Sequence, residues 1–267
     1  RRELVAEFVA TGKCDDWFRD WPGQNLIECA ENGGRAFRDG LIAEVRRRES
    51  RVTLPAPAGL EEARSSESLR RKLEPMVRGL FPPKERETVL DCAAGSVRFL
   101  APDSVEEWIR SANYLSTAWK IAWMYLGHIG APLIESDVPP TGYSEDSTCY
   151  VSLDYFDKTR PLDDLVVHEV AHLFHNTRRE SLGLPTSRGR KYLLSIEYFM
   201  RETFAYACEF YSQILLMTRR AADRRVLVES IESVPDDRVD AEELRNLLLE
   251  AIDARNGWKV IRDSCTE

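Results

Sequence analysis

Apolar side chains recur at helical spacing through three stretches of the chain. The first runs through Val105, Trp108, Ile109, Ala112, Leu115, Trp119, Ala122 and Trp123. It predicts one helix from Ser104 to near Gly127, opened by Pro102-Asp103-Ser104 with Glu106 and Glu107 in its first turn. The second covers residues 165–175 and is opened by Pro161 and Asp163-Asp164. The third spans roughly 192–218, with Ile196, Phe199, Met200, Thr203, Phe204, Ala207, Tyr211, Ile214 and Leu215 on one stripe. Residues 1–50 read as helical with a break at Gly33-Gly34, and residues 66–80 as a polar helix stopped by Pro82-Pro83. The tail from Arg219 reads as charged and helical, with a break at Pro235. Residues 97–101 and 148–156 have strand character, and the Pro-, Gly- and Ser-rich stretch 130–147 between them reads as a loop. The prolines in residues 54–60 make that segment the best linker.

This pattern predicts a predominantly helical α+β protein with a small sheet. It divides into a helical N-terminal region (1–85), a central domain (86–218) and a helical C-terminal extension (219–267). A length of 267 residues and 43% hydrophobic side chains support a sizeable core. Lys+Arg 37 against Asp+Glu 45 gives a net charge of −8, which argues against nucleic acid as a partner. No apolar run approaches the roughly 20 residues needed to cross a bilayer, so no membrane partner is expected and the cytoplasm is slightly favoured. The chain begins at Arg1 rather than methionine, so its natural N-terminus is expected upstream. The six cysteines form no CxxC pair and are expected to be reduced and mostly buried. Residues 178–225 hold ten basic against five acidic side chains, which reads mainly as a solvated basic face.

Histidine is scarce, with four in the chain, and three of them lie at 168, 172 and 175. His168-Glu169-Val170-Ala171-His172 is an HExxH motif. Residues four apart sit one turn above each other on a helix, so both imidazoles can reach one metal ion. Glu169 is rotated about 100° away, where it can touch a metal-coordinated water without being a ligand.

The motif, its apolar helix and the order strand, helix, strand, HExxH helix, further helix resemble the zincin metallopeptidases over 97–218. The metzincin continuation would need glycine at 175 and histidine at 178, where the chain has His175 and Arg178. The resemblance is therefore to the gluzincin type, whose third ligand is a glutamate on the next helix. Glu202 is followed by Thr203, Phe204 and Ala205, as gluzincin ligand glutamates often are. Glu197, Glu209 and His175 are rivals for that place. His175 lies about 10 Å along the helix axis from His168, which suits a residue behind the ligands better than a ligand.

The resemblance implies one Zn2+ per chain, held by His168, His172 and Glu202, with Glu169 as general base in the hydrolysis of a peptide or protein substrate. A gluzincin Gly-x-Met-Glu-Asn exopeptidase signature is absent, which favours an endopeptidase. Two other readings stay open: a regulatory or interaction protein that keeps the fold with little turnover, and a toxin or effector protease domain of a longer chain. A second donor to the oxyanion is expected among Tyr143, Tyr192, Tyr198, Tyr206 and His128, with His175 and Glu209 as further possible orienting groups. The resemblance implies that the strand at 149–155 lies at a sheet edge where a substrate backbone could pair with it, and its alternation fits an ordinary sheet strand equally well.

Overall fold

The computed structural model describes residues 1–14, 17–52, 57–134, 136–157, 160–187 and 189–266. The chain is mostly helical with a small three-stranded sheet. In order, the described elements are α1 (Arg2–Thr11), α2 (Leu26–Glu49), α3 (Leu60–Ala63), α4 (Ser66–Leu80), α5 (Arg86–Ser96), β1 (Val97–Phe99), α6 (Val105–Ser111) and α7 (Leu115–His128). They continue as β2 (Gly142–Glu145), β3 (Thr148–Val151), α8 (Leu165–Asn176), α9 (Arg201–Met217), α10 (Ala221–Glu229), α11 (Ala241–Asp253) and α12 (Gly257–Cys265). The expected linker at 54–60 lies partly outside the described residues, at Leu54, Pro55 and Ala56.

The chain forms two compact units that interleave in sequence. One comprises residues 1–58, 99–141 and 152–156; the other comprises 59–98, 142–151 and 157–267. Helices α4 and α12 therefore share the second unit with α8 and α9, although the sequence pattern assigns them to the two terminal regions.

In the first unit, α2 runs unbroken through Gly33-Gly34, contrary to the expected break. The glycine serves packing instead: a Cβ on Gly33 would collide with the ring of Phe18 and stand 2.9 Å from Trp21. That space admits an aromatic cluster in which Phe8, Phe18 and Trp21 each pack on Phe37 at 4.8–6.1 Å between ring centres. The stripe from 105 to 123 is divided between α6 and α7 rather than forming one helix. At the corner between them Ala112 is extended, and its carbonyl accepts from Arg38 Nη2 at 2.7 Å.

In the second unit the sheet has the order β1-β3-β2. β2 and β3 form an antiparallel hairpin in which Glu145 pairs with Thr148. Asp146, in the turn, has φ +50°, a left-handed conformation that aspartate tolerates. The hairpin corrects two expectations. Residues 142–145 are strand rather than loop, and β3 is the central strand rather than an edge. β3 also ends at Val151, and residues 153–156 form a turn of 3₁₀ helix.

α8 and α9 form the centre of this unit. α8 is almost wholly apolar outside its histidines, and Val166, Val167, Val170, Ala171, Leu173 and Phe174 are all buried. Asp164 caps it, accepting from Val167 N at 3.4 Å. α9 begins at Arg201, nine residues later than the stripe suggests. The preceding segment is bonded elsewhere: Leu193 N and Leu194 N donate to the carbonyls of Thr177 and Phe174, and Glu197 N donates to Cys265 O. The first two bonds satisfy carbonyls at the end of α8 and the third a carbonyl at the end of α12, groups with no partner within their own helices.

A buried ion pair ties the segment after α8 to the start of α5. Arg179 is fully buried, its Nη2 and Nη1 meet Glu85 at 2.6 and 3.1 Å, and its Nε donates to Pro185 O. Removing one partner strands the other charge away from water. Glu85→Ala is therefore expected to lower unfolding free energy by about 3–5 kcal/mol, measured by urea denaturation. All six cysteines are free, and Cys29, Cys149, Cys208 and Cys265 are buried. No described helix is long and apolar enough to cross a membrane.

Candidate metal centre

Three ligand-type atoms converge between α8 and α9. His168 Nε2 and His172 Nε2 are 3.2 Å apart, and Glu202 Oε2 lies 3.7 and 3.4 Å from them. A tetrahedral ion with bonds of about 2.0–2.1 Å separates its ligand atoms by roughly 3.3 Å, so this triangle fits zinc. Helical spacing provides the two imidazoles, and packing of α9 along α8 brings in Glu202 from its first turn. Burial works against the ionised form of Glu202, yet the two histidines hold its carboxyl far below the usual range. Burial likewise opposes protonation of His168, but contacts with Glu202 and Glu209 raise its pKa to about 10. Protons and a metal ion thus compete for the same atoms.

The far nitrogens of both histidines are also engaged. His168 Nδ1 stands 3.0 Å from Glu209 Oε2, and Glu209 Oε1 accepts from Asp164 N at 2.6 Å. Asp164 in turn accepts from Gln213 Nε2 at 2.7 Å and pairs with Lys72 of α4. With Glu209 taking the Nδ1 proton, Nε2 keeps its lone pair for a metal. His172 Nδ1 lies 3.3 Å from His175 Nε2. Burial, followed by the charges of His172 and Arg201, depresses the His175 pKa to about 3, so its ring stays neutral. A neutral His175 can accept the His172 Nδ1 proton at Nε2. Glu209→Gln removes the charged acceptor and is expected to weaken zinc binding about 10- to 100-fold, read by competition with a chromophoric chelator.

Glu169 is buried at the flank of this group, against the hairpin. Ser144 Oγ donates to its Oε2 at 2.5 Å and stands 2.8 Å from its carbonyl oxygen, to which Cys149 Sγ also donates. Gly142 is the other support. A Cβ there would collide with Glu169 Oε1 and stand 2.7–2.8 Å from Cδ and Cγ, so only glycine lets the carboxylate lie this close to β2. Burial raises the Glu169 pKa, while His168 and His172 work in the opposite sense.

The structure separates the other candidates. Glu197 is exposed, before α9 begins, and takes no part in the cluster. Glu209 stands behind His168 and His175 behind His172, each on the side away from the converging Nε2 atoms. Tyr206 packs edge-on against His168, with ring centres 4.6 Å apart. Burial, then the charges of Glu209, Asp236 and Glu202, raise its pKa and keep the hydroxyl protonated. Tyr198 is 71% exposed and stacks under Arg201, with the Arg201 Cζ 5.4 Å from its ring centre. Tyr143 donates to Glu145 at 3.1 Å. Tyr192 lies in an isolated bridge with Arg178. His128 belongs to the first unit, where it meets Asp154 at 2.7 Å.

Sequence reading missed Ser144 and Gly142, and it missed Arg238, whose Nη2 lies 3.1 Å from Glu202 Oε1. Gly142 and Ser144 belong to a four-residue strand within a Pro- and Gly-rich stretch, too short for any local pattern to signal them. Arg238 is far from the motif in sequence and has no local signal. Compared with known proteins, the chain matches no family model, no curated protein and no solved structure.

Proposed function

We propose that the chain is a zinc-dependent peptidase of gluzincin type, built on a zincin-like domain, and that it cleaves within peptide or protein chains. The observation that carries this reading is the meeting of His168 Nε2, His172 Nε2 and Glu202 Oε2 within 3.2–3.7 Å of one another, beside a buried glutamate that is not one of the three. Two imidazoles and one carboxylate form a donor set with an open fourth position, typical of a catalytic zinc site. When bound, zinc lowers the pKa of a coordinated water toward 7 and polarises a carbonyl.

The chain's own residues supply the rest. Glu169 is the general base: its carboxylate takes the proton of the attacking water and passes it to the amine that leaves. Ser144 and the missing side chain at Gly142 hold that carboxylate in one orientation. Glu209, through His168 Nδ1, and His175, through His172 Nδ1, keep both ligand rings in the right tautomer. Tyr206, whose ring packs on His168 and whose hydroxyl keeps its proton, is the donor for the oxyanion in this reading. Among the described residues no further strand pairs with the outer side of β2. A substrate backbone adds there as an extra strand, which gives main-chain hydrogen bonds whatever its sequence.

The experiment is incubation with a broad peptide library, with products read by mass spectrometry. Cleavage that a chelator abolishes and zinc restores supports a peptidase. A zinc-loaded protein that leaves the whole library intact contradicts it.

A further inference from the structure

Glu202 offers one oxygen to the two histidines, and its other oxygen is engaged by a residue from the loop between α10 and α11. Arg238 Nη2 lies 3.1 Å from Glu202 Oε1, while the histidine Nε2 atoms face Oε2. Asp236 grips the same guanidinium. Nη2 donates to its Oδ2 at 2.5 Å and Nε to its Oδ1 at 2.9 Å, and the Arg238 backbone N donates to Oδ1 at 2.9 Å. The hydrogen bonds from Arg238 also hold Asp236 below the usual carboxylate range, so both charges persist. Asp236 balances the charge of Arg238, and the pair therefore adds little net charge near the metal ligands.

What the pair adds is direction. A free carboxylate can bind a metal ion through one oxygen or through two. With a guanidinium at Oε1, only Oε2 is available. We propose that Arg238, held by Asp236, is a positioning residue that limits Glu202 to a single ligating oxygen. The inference rests on His168, His172 and Glu202 being zinc ligands, and it adds a fixed coordination number to that reading. Four-fold coordination leaves one position for water, whereas a second oxygen from Glu202 would crowd it. Arginine suits the task because its planar fork can meet two carboxylates at once, while lysine is a point charge on a flexible stem. The Arg238 side chain is 65% exposed, so it contributes little to folding.

Cobalt(II) in place of zinc reports coordination number, since four-coordinate cobalt absorbs visible light several-fold more strongly than five-coordinate cobalt. Wild type, Arg238→Gln and Arg238→Lys are compared by cobalt absorption, by zinc dissociation constant and by melting of the metal-free protein. The expected result is an intense band in wild type and a several-fold weaker one in Arg238→Gln. The zinc dissociation constant of Arg238→Gln is expected to rise about tenfold, with unchanged melting and Arg238→Lys in between. Identical bands and constants in wild type and Arg238→Gln overturn the proposal. So does an unfolded Arg238→Gln together with a folded Arg238→Lys that equals wild type in both metal readouts. A wild-type chain that binds neither ion refutes the ligand assignment, and the positioning role with it, before any variant is compared.

Discussion

Glu169→Gln is expected to abolish nearly all hydrolysis while leaving zinc in place. Glutamine keeps the size of the side chain and can still accept from Ser144, so α8 and the hairpin have no reason to move. It cannot take a proton. General acid–base catalysis by a positioned side chain is worth about 10²- to 10⁴-fold, so turnover should fall by that factor. The contrast between metal content and rate makes this informative. Glu169 is buried, and none of the three converging atoms belongs to it. A merely structural glutamate would show its loss in stability, whereas a general base shows it in rate. The check is turnover on a cleavable library peptide, beside zinc content and melting temperature of the same preparation. Full activity in Glu169→Gln would remove the base from the mechanism.

The second large effect is expected from Glu202→Ala, and it appears in metal binding. Zinc bound by four protein ligands is worth about 10–16 kcal/mol, or roughly 3 kcal/mol for each ligand, which is about a hundredfold in affinity. The loss at Glu202 should approach that factor, since both histidines remain with their partners Glu209 and His175. Glu197→Ala is the matched control, because Glu197 is exposed and outside the cluster. Zinc titration of the two variants against wild type should show weakening in the first alone. The reverse outcome would transfer the third ligand to Glu197 and break the geometric argument.

The sequence revealed the parts of this site that depend on one helix and hid those that depend on contacts between elements. His168 and His172 are legible because helical periodicity alone puts them on one face, and Asp164 is legible as a cap from its place before the apolar run. Glu202 is legible only through the resemblance, His175 only as a residue set back from the other two histidines, and Glu209 only as one of several rival glutamates. β2 was not legible, because a four-residue strand in a Pro- and Gly-rich stretch has too few positions to show alternation. Without β2 in view, β3 has no second neighbour and reads as an edge, although β3 is central. The start of α9 is hidden for a related reason. Ile196 and Phe199 fit the helical stripe, but the backbone around them bonds to the ends of α8 and α12. Arg238 reaches Glu202 only because the chain folds back, and nothing near residue 238 signals a metal.

In the proposed function His168, His172 and Glu202 together hold one metal ion. The most direct test is elemental analysis of the protein purified without chelator and dialysed against buffer containing trace zinc. About one zinc per chain is expected, with a large loss of that zinc in the double variant His168→Ala/His172→Ala and the fold retained by circular dichroism. A folded wild-type chain that takes up no zinc, or a double variant that holds as much as wild type, would contradict it.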